Sequence, residues 1–138
     1  MAITLDQTRS EPFEKAISAM AEFRRAFGRD LKPDFIAELY ASRELGLTLR
    51  EKPNEQGFDA IDRDGKRYEI KHRRAQNVDL NNFGFDFLVL VNLDDDFRVA
   101  GMWRMTVDKA KEIFQWRDRF NKYQATQAKA KANSVKVR

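Results

Sequence analysis

The chain contains no cysteine and only one histidine, His72, among its 138 residues. Without cysteine, neither a disulfide framework nor a cysteine-ligated zinc site can form. A serine–histidine hydrolase would require His72 to meet an activated serine, and the sequence has no Gly-x-Ser-x-Gly motif. By strand alternation we expect His72 to lie at the edge of the core. These absences disfavour thiol, zinc-finger and serine hydrolase chemistry.

Long apolar runs are also absent. No segment approaches the ~20 consecutive apolar residues of a membrane span, so we expect a cytoplasmic protein with no membrane partner. A hydrophobic content of 42% and an aromatic content of 12% nevertheless indicate a packed core. The length fits one domain, and no repeat or linker divides it. We expect a domain over residues 1–120 with an N-terminal helix, followed by a basic extension over residues 121–138.

The basic residues are concentrated at one end of the chain. Residues 117–138 hold seven basic side chains against Asp118 alone, whereas the remainder of the chain is slightly acidic. Such an end suits contact with a polyanion, and Lys129 and Lys131 are the candidates to follow a nucleic-acid backbone. A solvated tail fits the charge pattern equally well.

Residues 57–74, GFDAIDRDGKRYEIKHRR, have the pattern of a β-hairpin. A two-residue loop would place Asp59 and Glu69 on opposite faces, because side chains alternate along a strand. A three-residue loop over 63–65, with its glycine at positive φ, instead places the two acids opposite each other. This second register is favoured because it gathers four apolar side chains on one face. They are Phe58, Ala60, Tyr68 and Ile70.

The other face of the hairpin would then carry chemistry. Two neighbouring carboxylates repel each other unless a cation lies between them, and oxygen ligands on stiff strands suit Mg²⁺. Lys71, two residues beyond Glu69, would project toward the same place. Residue type and spacing therefore predict a site made of Asp59, Glu69 and Lys71.

Asp59 followed by Glu69-Ile70-Lys71 resembles the motif of the PD-(D/E)xK nucleases, which share the restriction-endonuclease-like fold. The resemblance implies that Asp59 and Glu69 bind Mg²⁺ or Mn²⁺, that the backbone carbonyl of Ile70 joins them, and that Lys71 orients or activates the attacking water. Phe58 stands where the motif has proline, which is not a ligand. The implied function is a Mg²⁺-dependent endonuclease that hydrolyses phosphodiester bonds, with DNA favoured over RNA.

The resemblance extends to four further side chains. Many members of the family place another carboxylate on the helix before the hairpin, which makes Glu38 an additional candidate ligand; a solvated helix glutamate is the alternative. Arg73 and Arg74 are candidates for phosphate contact, because the N–H donors of a guanidinium match the geometry of that anion. The alternative is that they form ion pairs with acidic residues on the surface. Gln76 is a candidate to position substrate or water.

The remaining pattern predicts an α/β (α+β) fold with a central mixed sheet of about four strands flanked by helices. It resembles a restriction-endonuclease-like core over residues 34–116, and also a group of short, uncharacterised bacterial proteins. The predicted elements, in order, are a helix opening at Ser10 and stopping at Gly28, a helix from Pro33 to Gly46, a short strand at 47–49, the hairpin, a polar loop over 77–82, a central strand over 85–93, a turn at 94–96, a strand over 98–104 and a helix capped by Thr106. Trp116, Phe120 and Tyr123 could prolong this last helix, and residues 123–129 fit either a helix or a strand.

Three functions stay open at this point. The first is the nuclease. The second is a nucleic-acid-binding module of the same fold that cuts nothing. The third is a small assembly or interaction protein in which Asp59, Glu69 and Lys71 form only an ion-pair ladder across strands. A homodimer is compatible with each of them.

Overall fold

The computed structural model describes residues 2–51, 57–73 and 75–138. The chain divides into two compact units, Met1–Lys32 and Pro33–Arg138. The first unit contains one helix, α1 (Gln7–Phe27), and the φ of +68° at Gly28 ends it as predicted. The predicted start at Ser10 is wrong, because the Asp6 carboxylate caps the helix by accepting a hydrogen bond from the Arg9 N–H at 3.2 Å.

The second unit combines three helices with two sheets. Its elements are α2 (Pro33–Leu45), β1 (Thr48–Leu49), β2 (Ala60–Ile61), β3 (Arg67–His72), β4 (Asn77–Leu80), β5 (Phe87–Leu93), β6 (Val99–Thr106), α3 (Val107–Ile113), β7 (Gln115–Arg117), β8 (Lys122–Thr126), α4 (Gln127–Ala132) and β9 (Val135–Lys136). The larger sheet has the order β1-β2-β3-β5-β6-β9, and the smaller one has the order β4-β8-β7. The mixed α/β class is therefore confirmed. The larger sheet has more strands than predicted, because the two-residue strand β9 extends the edge formed by β6, whereas β1 at the other edge was predicted at 47–49.

Strand β5 is central, as its nearly continuous apolar run predicts. It pairs in parallel with β3 and antiparallel with β6, and Leu88 to Val91 are buried. The chain between β3 and β5 was predicted to be a polar loop over 77–82, which is wrong. Val78 and Leu80 alternate with polar residues there and are fully buried, so this segment forms β4 in the second sheet.

The two faces of the larger sheet are covered differently. On one face, α2 packs through Ala37 and Ala41 against a core that includes Ile70 and Val89. On the opposite face, a core that includes Leu88 and Leu90 is closed by the smaller sheet, α3 and α4. The larger sheet therefore lies between a helical layer and a mixed layer, and the residues of β3 divide between these two faces.

Residues 115–126 do not prolong the third helix. The helix α3 begins at the predicted Thr106 cap and ends at Ile113, after which β7 and β8 form a hairpin with Trp116 paired to Tyr123. The ambiguous segment 123–129 contains both structures, because β8 ends at Thr126 and that same residue caps α4. Residues 121–138 thus form β8, α4 and β9, with Ala125 and Ala130 buried.

The β5–β6 loop places a bulky residue in a left-handed conformation. The Asp94 side chain accepts hydrogen bonds from the N–H groups of Asp96 and Arg98, at 2.8 and 3.0 Å. Phe97 follows with a φ of +61° and an exposed side chain. A left-handed conformation destabilises a residue with a Cβ by about 1–2 kcal/mol, and glycine avoids this steric cost. Roughly half of the gain is lost again, because glycine has more conformational freedom in the unfolded chain.

We expect Phe97→Gly to stabilise the protein by about 0.5–1 kcal/mol, because glycine adopts this φ without steric cost. Chemical denaturation would show a higher midpoint with an unchanged slope. The matched control is Phe120→Gly, which also removes an exposed aromatic ring from a turn, at a position without a recorded positive φ. Equal effects of the two changes would contradict the backbone explanation.

Candidate active site

The β2–β3 hairpin has the predicted register. Ala60 pairs with Tyr68, and the Asp62 N–H donates to the carbonyl of Lys66 at 3.0 Å, which leaves residues 63–65 as the loop. Gly65 closes this loop by donating its N–H to the Asp62 carbonyl at 3.1 Å, with a φ of +79°. The three-residue loop is therefore confirmed, and regular pairing with β3 extends to Ala60, the residue after Asp59.

Asp59 lies immediately before β2 and is held against β3 by two hydrogen bonds. Its N–H donates to the Tyr68 carbonyl at 2.8 Å, and its Oδ2 accepts from the Ile70 N–H at 2.7 Å. The Asp59 carboxylate thus accepts the hydrogen bond that a backbone carbonyl of a neighbouring strand would otherwise accept from the Ile70 N–H. Because the N–H and C=O of one strand residue point to the same edge, the Ile70 carbonyl also faces the edge where Asp59 lies.

Regular pairing with β3 ends at Ala60, and this corrects the prediction for Phe58. Phe58 was expected to share the apolar face of Ala60, Tyr68 and Ile70. It packs instead with the core that contains Leu88, because the chain bends at Asp59 and strand alternation does not continue through that residue.

Glu69 and Lys71 lie side by side on the opposite face of β3 from Ile70. They pair with Leu88 and Leu90 of β5, so they point toward the layer formed by the smaller sheet. Their side chains are 19% and 20% exposed, and Lys71 Nζ lies 3.5 Å from Glu69 Oε1. The structure thus brings together the three residues that the sequence predicts as the catalytic set.

Burial, and next the neighbouring Asp59 carboxylate, raise the pKa of Glu69 from an ordinary value of 4.5 to about 7, and the Lys71 ammonium opposes this rise. One lysine therefore does not compensate two carboxylates in this partly buried place.

Glu38, the additional candidate ligand, is half-buried on α2. The helix packs on the face of the larger sheet that carries Ile70, opposite to the face of Glu69. Within residues 2–51, 57–73 and 75–138, no three acidic or imidazole side chains converge as a ready-made metal centre. Glu38 as a third ligand stays a prediction.

An open cleft of about 520 Å³ lies near the end of β3. Arg73, which follows β3, lines it together with Gln76, with Lys131 of α4 and with the acidic Asp95. The Lys131 ammonium lies 4.4 Å from the centre of the Trp103 ring, which helps to position it. The cleft lies where the parallel strands β3 and β5 end, a common position for ligands.

Of the other two residues predicted to contact nucleic acid, the structure describes only Lys129. Lys129 is exposed on α4 and is not among the lining residues. Arg74 lies outside the described residues. The structure therefore supports a cleft built around Arg73, Gln76 and Lys131.

No family model matches the chain. No curated protein matches it either. Within the part of the chain that the structure describes, no helix combines the length and the apolar character required to cross a bilayer. The functional argument is therefore based on the residues of the chain itself.

Sequence reasoning missed the residues that hold the cleft together. The Gln127 side-chain amide donates to the carbonyls of Arg73, at 3.3 Å, and of Ala75. This contact ties α4 to the end of β3 across more than fifty residues, a separation over which local patterns carry no signal. Asn92 also lines the cleft. Its polar side chain within the apolar run of β5 was the one sequence feature that could have indicated this role.

His72 has a structural role, as predicted. It is buried on the face of β3 opposite to Lys71, and its Nδ1 lies 3.2 Å from the Val91 carbonyl oxygen. It therefore supports the strand that carries the acidic pair and does not join the site.

Proposed function

We propose that this protein is a metal-dependent nuclease that hydrolyses phosphodiester bonds, with DNA as its substrate. The observation that carries the proposal is that Asp59, Glu69 and Lys71 lie together. The Ile70 N–H holds the Asp59 carboxylate against β3, beside Glu69, and the Lys71 ammonium lies 3.5 Å from the Glu69 carboxylate. Two carboxylates beside a lysine form a donor set that can hold a divalent cation and a water molecule together.

The residues present fit Mg²⁺ or Mn²⁺. Asp59, Glu69 and the Ile70 carbonyl would supply hard oxygen ligands. Burial and the Asp59 carboxylate raise the pKa of Glu69, and a bound cation would act in the opposite direction. When bound, the cation would polarise a phosphoryl oxygen and lower the pKa of a water molecule. A six-strand mixed sheet with the acids on a hairpin is also compatible with a restriction-endonuclease-like core, which we include in the proposal.

Residues of the chain itself activate the water, orient the Asp59 carboxylate and bind the substrate phosphates. Lys71 donates a hydrogen bond to the attacking water and offsets the negative charge that develops on the phosphoryl oxygens. The Ile70 N–H keeps the Asp59 carboxylate oriented, so little reorganisation is needed when the substrate arrives. Arg73 and Lys131 hold the phosphates that flank the scissile bond in the cleft near the end of β3.

Incubation of the full chain with labelled duplex DNA, single-stranded DNA and RNA tests this function. Cleavage is expected with Mg²⁺ or Mn²⁺ and is expected to stop when EDTA is added. Binding of nucleic acid without any cleavage would instead identify a catalytically inactive binding module. If the chain neither bound nor cut nucleic acid, Asp59, Glu69 and Lys71 would be only an ion-pair ladder in an interaction protein.

We expect Arg73→Ala and Lys131→Ala each to weaken binding of DNA by about 5- to 10-fold and to reduce the salt dependence of binding by about one phosphate contact. Fluorescence anisotropy in EDTA measures this without cleavage. Lys129→Ala removes the same charge from the exposed side of α4 and is the matched control. An equal loss of affinity in the Lys129 and Lys131 variants would show that general charge, and not the cleft, binds DNA.

A further inference from the structure

Helix α1 carries a stripe of large apolar side chains on its surface. Phe13, Ile17, Met20 and Phe27 are each 47–49% exposed, and no residue of the 21-residue helix is buried. An isolated helix of this length is marginal in water unless its apolar face packs against something. Such a stripe on a soluble chain marks an interaction surface.

The spacing of the stripe matches a short helical seam. Phe13, Met20 and Phe27 stand seven residues apart, and Phe23 lies between the last two positions. The Phe23 and Phe27 rings already contact each other within the helix, with centroids 4.6 Å apart and ring planes tilted by 42°. Two heptads of this pattern form a continuous apolar strip about 21 Å long, at 1.5 Å per residue.

We propose that α1 packs antiparallel against α1 of a second copy of this chain. The stripe is symmetric about Met20, so an antiparallel pair places each Met20 opposite the partner's Met20 and each Phe13 opposite the partner's Phe27. Ile17 then meets the partner's Phe23. Every large side chain of the stripe gains an apolar contact in this arrangement.

Charge on the flank of the stripe selects this orientation. Glu14 and Arg24 lie on the same side of the helix, Arg24 within the edge of the stripe and Glu14 beside it, by the 100° rotation per residue. An antiparallel pair brings Glu14 toward the partner's Arg24 at both ends, whereas a parallel pair leaves these two residues ten positions apart along the helix axis. Arg24 pairs with Asp30 at an exposed position, where exchange between carboxylates costs little.

The polar side of α1 disfavours the alternative of a membrane surface. Helices that lie on anionic membranes concentrate lysine and arginine on their polar face. Here Glu11 and Glu22 share that face with Lys15, and Glu11 already pairs with Lys15 at 3.0 Å. A second copy, with its own acidic and basic residues, is the better complement.

Sedimentation equilibrium of the full chain over a range of concentrations tests the proposal. The natural chain is expected to dimerise with rising concentration, and Met20→Asp is expected to weaken this association at least ~10-fold, because both copies would place a carboxylate at the symmetry axis. Ser18→Asp changes the opposite side of the helix and is the control. A chain that stays monomeric, or a dimer that Met20→Asp leaves unchanged, overturns the proposal.

A charge exchange tests the antiparallel orientation separately. Glu14→Arg and Arg24→Glu are each expected to weaken the dimer, and the double variant is expected to restore it. Restoration supports the proposed orientation, whereas additive losses overturn it. Binding of the monomer to anionic vesicles through the Met20 face, without self-association, would overturn the proposal in favour of a membrane surface. Neither test depends on the nuclease proposal.

Discussion

Replacing Lys71 by alanine is expected to reduce metal-dependent cleavage of DNA by at least ~10²-fold. The ammonium lies 3.5 Å from the Glu69 carboxylate and the Lys71 side chain is only 20% exposed, so the variant removes a positive charge from a partly buried position. Loss of a preorganised donor to the reacting water or the developing charge typically costs ~10²- to 10³-fold in the chemical step. Single-turnover kinetics isolate this step from product release.

The control for this variant is Lys66→Ala. Lys66 belongs to the same hairpin, carries the same charge and is exposed, and its backbone N–H rather than its side chain donates to Asp62. We expect this variant to keep the natural rate. Cleavage that survives Lys71→Ala unchanged, in protein with native circular dichroism, would contradict the proposed site.

The second large effect concerns stability in the absence of metal. Glu69 has a pKa of about 7 in the folded chain and 4.5 as its ordinary value. Between these values the unfolded state releases a proton that the folded state keeps, so the contribution of Glu69 to stability falls as pH rises from 4.5 through 7. At pH 8 this contribution is lost, and Glu69→Gln is therefore expected to raise the free energy of unfolding by about 2–3 kcal/mol.

Urea denaturation in EDTA at pH 4 and pH 8 measures this effect. The gain from Glu69→Gln is expected at pH 8 and is expected to vanish at pH 4, where both states hold the proton. Glu112→Gln, at an exposed position of α3, should change stability little at either pH. An effect of Glu69→Gln on the free energy of unfolding that does not vary with pH would show that folding does not raise the pKa of Glu69.

The hairpin and the central strand could be predicted from the sequence because their signals are local. Gly65 determines the loop length, and Ala60, Tyr68 and Ile70 are buried on the same face of the hairpin. The register therefore follows from residues that are close in sequence. The apolar run of β5 predicts a strand that is buried on both faces, and this prediction does not depend on the position of distant segments. The closeness of Glu69 and Lys71 follows from strand alternation, whereas Asp59 lies before the regular pairing and is held by the hydrogen bond from the Ile70 N–H.

The smaller sheet could not be predicted in the same way. Strand β4 has only Val78 and Leu80 as an apolar signal, and its partner β8 lies about 45 residues away along the chain. Pairing at that distance depends on the shared core that contains Phe85 and Ala125, which no local pattern shows. The cleft was missed for the same reason, because it forms only when α4 meets the end of β3.

Calorimetric titration of the metal-free chain with Mn²⁺ tests the central claim most directly, because it measures the acid pair without requiring a substrate. The account predicts a site whose binding weakens as pH falls below 7, with proton release visible as a dependence of the heat on the buffer's ionisation enthalpy. Asp59→Asn is expected to abolish this site, and Asp64→Asn, in the loop of the same hairpin, is expected to leave it intact. Equal Mn²⁺ binding by both variants, or no binding by the natural chain, would contradict the account.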